Sequence, residues 1–197
     1  MTGSSWTERV GEAYDAHLPG PVGVDEGFGP VTVDVPAERW AEAVALARDR
    51  LGCTFFDWLS AVDELDDGFR VVCHLAARRT GGVEHLVVQT VLDHERPAVA
   101  SVVGMFAGAG WHERETHEMF GIDFTEDGAT LALEGLLLPA GFEGHPLRKE
   151  FVLASRVAKA WPGAKEPGES DAVPRTPRSR RRTRPAGVPA PGEWGSQ

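Results

Sequence analysis

The stretch from Trp111 to Ile122 reads W-H-E-R-E-T-H-E-M-F-G-I and brings together two histidines, three glutamates and an arginine. Metal binding is the first chemistry such a set suggests. In the H-E-x-x-H helix of zinc proteases, histidines four residues apart share one face. Here His112 and His117 are five apart, roughly 140° around a regular helix, and Thr116 stands where the second ligand would be. They cannot chelate one ion from such a helix. The two cysteines, Cys53 and Cys73, form no C-x-x-C pair, whereas iron–sulfur clusters and structural zinc need several ligands at short spacing. They read as small buried hydrophobes in strands. Gly108-Ala109-Gly110 is followed by Glu113 where a dinucleotide loop would have glycine, and G-K-[ST] does not occur. No cofactor or metal is therefore expected on this chain itself.

If Trp111 to Phe120 is a helix, Trp111, Arg114, Glu115 and Glu118 share one flank and Phe120 points away. Three uses fit that arrangement: a solvated charged face, an internal clamp, or a contact with a partner. Arg114 to Glu118 is the weaker of the two i,i+4 orientations, and Glu115 and Glu118 repel each other. The residues alone leave all three open.

The elements that position this stretch follow from periodicity. Val31 to Val35 alternates as a half-buried strand; after Pro36, the residues Trp40, Val44, Ala47 and Leu51 recur at helical spacing up to Gly52. Thr54 to Val62, Phe69 to Ala77 and Glu84 to Leu92 read as strands separated by Asp66-Asp67-Gly68 and Gly81-Gly82, which favours antiparallel hairpins. The fold class is α+β, a mixed or antiparallel four-stranded sheet with an amphipathic helix packed on it. Past Pro97 helical propensity returns, and a second helix is predicted from Trp111 to about Phe120. A loop-rich extension follows. The expected organisation is an N-terminal segment (1–30), an α+β domain (31–124), an interface extension (125–162) and a Pro/Arg-rich, disordered tail (163–197).

Composition narrows the classes further. With 197 residues, 42% hydrophobic and 25% charged, the chain suits one globular domain with an appendage. Its apolar runs break before the roughly 18 residues a membrane span needs. No basic cluster precedes an apolar run at the amino terminus, so a cytoplasmic location is expected. Residues 1–162 carry 13 Lys and Arg against 26 Asp and Glu, whereas 163–197 carry 7 against 4. An acidic body argues against nucleic acid and for protein partners.

Two segments resemble a known signature. Glu113 to Phe124 (E-R-E-T-H-E-M-F-G-I-D-F) and Leu136 to Phe151 (L-L-L-P-A-G-F-E-G-H-P-L-R-K-E-F) are similar to the C subunit of bacterial type I NADH:quinone oxidoreductase, the respiratory complex I 30 kDa subunit family. The likeness runs from about Val31 to Lys159. It implies a non-catalytic peripheral-arm subunit on the cytoplasmic side of the membrane, packed against the D and B subunits and near the I subunit. NADH, FMN, iron–sulfur clusters and quinone would belong to other subunits. The residues the resemblance offers as a partner interface are Glu113, Arg114, Glu115, Glu118, Phe120, Gly121, Gly144, His145, Pro146, Leu147, Arg148, Lys149 and Phe151. Between the two halves, Thr125 to Gly135 (T-E-D-G-A-T-L-A-L-E-G) lacks the family's usual histidine and arginine pair. The alternative is the equivalent adaptor subunit of a membrane-bound hydrogenase or related dehydrogenase complex that reuses the same module; an autonomous metal-dependent hydrolase using His112, His117 and nearby carboxylates is the third.

Overall fold

The computed structural model describes residues 4–27 and 29–152; residues 153–162 of the expected extension and the expected tail at 163–197 lie outside the described residues. The N-terminal segment, where the sequence reading expects no element, opens with helix α1 (Trp6–His17). Ser5 caps it: its hydroxyl accepts from the Glu8 backbone N–H at 3.1 Å, and the Glu8 carboxylate accepts from the Ser5 N–H at 2.7 Å. Val10 and Tyr14 bury the inner face of α1, and the Tyr14 hydroxyl donates to the Ala43 carbonyl at 2.9 Å.

Strand β1 (Gly23–Asp25) pairs antiparallel with β2 (Val31–Asp34), so the main sheet has five strands rather than the expected four. A 3₁₀ turn at Ala37–Arg39 leads into α2 (Trp40–Asp49), which buries Trp40, Ala43, Val44 and Ala47 completely. Gly52, with φ of +68°, turns the chain out of the helix. Cys53 sits in that turn, not in a strand as expected, while Cys73 lies on β4 (Phe69–Arg79). Both thiols are buried, and burial pushes the Cys53 pKa up to about 12.

Strands β3 (Phe55–Asp63), β4 and β5 (Gly82–Leu92) form the expected antiparallel run, and β2 joins β5 in parallel, giving the order β1-β2-β5-β4-β3. The α+β class is as expected. One sheet face carries Leu59, Val71, Cys73, Leu75, Leu86 and Val88 into the core. The other bears a ladder in which the His74 ring stacks between Trp58 at 5.6 Å and His85 at 5.2 Å.

After Pro97 the expected helical turn is instead strand β6 (Ala98–Ala100), because pairing overrides the helix propensity of its alanines. It lies parallel to β7 (Asp123–Glu126), and helix α3 (Ala109–Phe120) forms the crossover between them. Asp127-Gly128, both with positive φ, turn β7 into β8 (Ala129–Thr130). Thus the divergent Thr125–Gly135 stretch opens with a hairpin rather than with loop alone. Helix α3 packs along β3.

Candidate functional site

The inner face of α3 presents Ala109, Glu113, Thr116 and Phe120, all buried. Glu113 has no exposed surface; one carboxylate oxygen accepts from the Val102 N–H at 2.8 Å and the other from the Ser101 hydroxyl at 2.8 Å. This side chain fastens the β6–α3 loop. Burial pushes its pKa up against the downward pull of those two hydrogen bonds.

At its C-terminal end a helix leaves four carbonyls without intrahelical donors. In α3 every one of them is met. The His117 carbonyl accepts from the Gly121 N–H at 2.8 Å, and the Met119 carbonyl from the Leu147 N–H at 3.1 Å. His145 Nδ1 donates to the Glu118 carbonyl at 2.9 Å, and Arg148 Nε donates to the Phe120 carbonyl at 2.6 Å. A cation at this end also complements the helix dipole. The Arg148 guanidinium lies 5.0 Å from the centre of the Phe69 ring, which ties the helix end to β4.

Gly121 makes the approach possible. It caps the helix at φ of +71°, and a Cβ there would come within 2.5 Å of His145 Nε2 and 2.6 Å of Arg148 Nη2. Gly144, at φ of +93°, turns the chain back toward the helix just before His145 and the half-buried Pro146. The two signature segments, separated in sequence by Thr125 to Gly135, therefore meet at one helix terminus.

The outer flank of α3 holds a second crossing of the chain. Arg114 donates through Nε to the Glu134 carbonyl at 2.8 Å and through Nη2 to the Gly135 carbonyl at 2.7 Å, while its guanidinium rests over the Trp111 ring at 5.3 Å. The Glu118 carboxylate accepts from the N–H groups of Leu136 and Leu137 at 2.7 Å each and of Leu138 at 3.4 Å. Burial alone would raise the Glu118 pKa, but these backbone donors, helped by Arg114, outweigh it and hold the carboxyl below its usual range. Residues 134–148 thus form a strap pinned along α3 from its flank to its end.

The geometry supports the internal clamp among the three uses left open by the sequence, built from side chains holding backbone rather than from an Arg114–Glu118 ion pair. Of the thirteen signature residues, Glu113 and Phe120 are buried within the chain itself. Arg114, Glu118, Gly121, His145 and Arg148 fasten the strap. Glu115 and Leu147 face outward, as does the Lys149 side chain, while Phe151 stacks on Phe142 at 6.0 Å.

Asp63 does not stand out in the sequence. It is 3% exposed, accepts from the Leu65 N–H at 2.9 Å and from the Lys149 N–H at 2.8 Å, and lies 3.7 Å from His94. Against the upward push of burial, these neighbours hold its pKa low. A carboxylate at the inward register of β3, after Leu59 and Ala61, is the one signal that could have found it. Trp111, 62% exposed, likewise belongs to the outer face though the signature omits it.

His112 and His117 do not converge. The first donates from Nδ1 to the Leu59 carbonyl at 3.1 Å, the second from Nδ1 to the Ile122 carbonyl at 3.0 Å. Among the described residues, no group of three or more His, Cys, Asp or Glu is placed to hold a metal ion, and no helix is long and apolar enough to cross a membrane.

The family model for the respiratory-chain NADH dehydrogenase 30 kDa subunit matches residues 33–157. The chain belongs to this family. Family membership places it among the subunits of complex I and of the respiratory electron-transport chain. It is 36% identical over 149 residues to the NADH-quinone oxidoreductase C subunit of Roseiflexus sp. (strain RS-1), covering 73% of this chain and 83% of that one. To the corresponding C subunit of Methylobacterium radiotolerans it is 39% identical over 134 residues, 66% of this chain and 60% of that one. In fold it is similar to a trypsin-resistant fragment of Nqo5, with a TM-score of 0.50 and 23% identity over 62% of this chain and 99% of that one. A chain from the archaeal membrane-bound sulfane sulfur reductase gives a TM-score of 0.56 at 20% identity, covering 74% and 85%. These two likenesses speak for the fold alone.

Proposed function

We propose that this 30 kDa-family chain is a non-catalytic structural subunit of the peripheral arm of a proton-translocating NADH:quinone oxidoreductase. Electrons would pass from NADH through FMN and iron–sulfur clusters of other subunits to quinone. The observation that carries the reading is where the signature side chains go. In a family member they would be the first place to seek chemistry, yet they cap a helix and pin a strap. Such a subunit works by fixing the distances between its neighbours. The proposed neighbours are the D and B subunits, with the I subunit nearby, on the cytoplasmic side of the membrane, and the isolated chain is expected to turn over nothing.

Affinity purification of the tagged full chain from native membranes tests this. Recovery with a flavin-bearing NADH-oxidising subunit, and with NADH:quinone activity, is the expected result. Recovery with a nickel-bearing large subunit instead would favour the hydrogenase adaptor, and a solitary chain with its own turnover would overturn both.

A further inference from the structure

The outer face of α3 and its strap carries three large apolar side chains that nothing among the described residues covers: Trp111 is 62% exposed, Leu137 58% and Leu147 53%. Exposed apolar groups on a helix and on the strap pinned along it offer a contact surface. Here the anchors are also held in place. Trp111 is braced by the Arg114 guanidinium, the Leu137 N–H is bound by Glu118, and the Leu147 N–H by the Met119 carbonyl. A partner that seats on them meets a surface already ordered, which lowers the entropic cost of docking.

Charge narrows what the partner is. Of the arginines of this region, the half-buried Arg148 donates to the Phe120 carbonyl and lies 3.7 Å from Glu150, while Arg114, half-exposed beside Trp111, donates to the carbonyls of Glu134 and Gly135. Glu115, Glu134 and Glu143 are exposed, and none of them forms an ion pair within 4 Å among the described residues. The rim is acidic, in a chain whose first 162 residues already carry twice as many acids as bases.

We propose that this face docks a neighbouring subunit through an apolar pocket for Trp111 ringed by lysines and arginines. The inference rests on the complex I reading and adds the chemistry of the partner. Tryptophan suits the anchor role, and carboxylates at a rim steer association and reject like-charged surfaces. A second copy of this chain would set acidic rim against acidic rim and is disfavoured.

Carbodiimide, which joins a carboxylate to an amine in direct contact, is the probe, applied to the complex purified through the tagged chain. Peptide links from Glu115, Glu134 or Glu143 to lysines of another subunit are expected. Links only to Lys159 or Lys165 of the same chain would show that its own basic C-terminal region covers the face, and would overturn the proposal. So would an indole at position 111 that remains open to radical footprinting in the complex. In parallel, Glu115→Lys with Glu134→Lys is expected to leave the melting temperature of the isolated chain unchanged while cutting its recovery with the complex about tenfold or more. Undiminished recovery would contradict the inference alone. If the wild-type chain recovers no NADH-oxidising subunit, the functional reading fails, and this inference fails with it.

Discussion

The sheet body and the α3 strap are held by different physics. In the body, Trp40, Val44, Leu59, Leu75 and Leu86 are driven together by burial of apolar area, a non-directional force that tolerates exchange of one hydrophobe for another of similar size. In the strap few large side chains are buried; the chain is fixed by directed bonds from Glu118, Arg114, His145 and Arg148 to backbone groups. A surface built the second way holds its outer side chains in set positions without needing a core beneath them. That is what a spacer subunit requires of its contact face. It also means that single polar substitutions damage the strap where single apolar ones damage the body.

Trp40→Ala should show the largest effect. Removing a fully buried indole from α2 is expected to destabilise the whole chain by about 3–5 kcal/mol, read as a lowered denaturation midpoint with loss of sheet signal. Arg148→Ala should behave differently. It removes the Phe120 carbonyl's donor and the contact over Phe69, which is worth about 1.5–3 kcal/mol for a charged hydrogen bond. The isolated chain is expected to keep its sheet while residues 144–151 lose amide protection, and its recovery with the complex is expected to fall. Global unfolding of the variant, or intact protection, would erase the contrast between the two regions.

Gly121→Ala sharpens the same contrast without touching a hydrogen-bonding side chain. The added Cβ meets His145 and Arg148, and the left-handed conformation costs about 1–2 kcal/mol. Displacement of the strap with the body unchanged is expected in a comparison of amide exchange across the two regions.

The smallest effect should come from pH. Because the Glu118 pKa is lowered in the folded chain, the stability it contributes is present above the unfolded value near 4.5 and is lost as pH falls through the lower, folded value. Strap amides such as that of Leu136 should lose protection in that acid range before the sheet does. Glu118→Gln, which removes the charge, should flatten this dependence.

The sheet is legible in the sequence because its periods are local. Val31 to Val35, the Trp40 helix and the three hairpin strands each announce themselves within a few residues, and the start of α3 lies within two residues of its expected place. Two kinds of small element escape such reading for different reasons. The S-x-x-E box at Ser5 marks α1 but is short and stands before a weakly apolar run, whereas β1 and β6 are three-residue strands that exist only because β2 and β7 are there to pair with them. The strap is legible as motif but not as geometry. Nothing in the spacing of Glu118, His145 and Arg148 shows that they converge, because their meeting depends on the path of the chain through the hairpin and on Gly121. Asp63 is hidden in the same way, its partner Lys149 lying 86 residues further along.

Amide exchange in the isolated full chain addresses the central claim most directly, since that claim makes the strap part of this chain's own architecture and not something a neighbour imposes. The N–H groups of Leu136, Leu137 and Leu147 should be protected in the absence of any other subunit, and should stay so when the chain enters the complex. Free exchange at all three in the isolated chain, with protection appearing only on assembly, would contradict it.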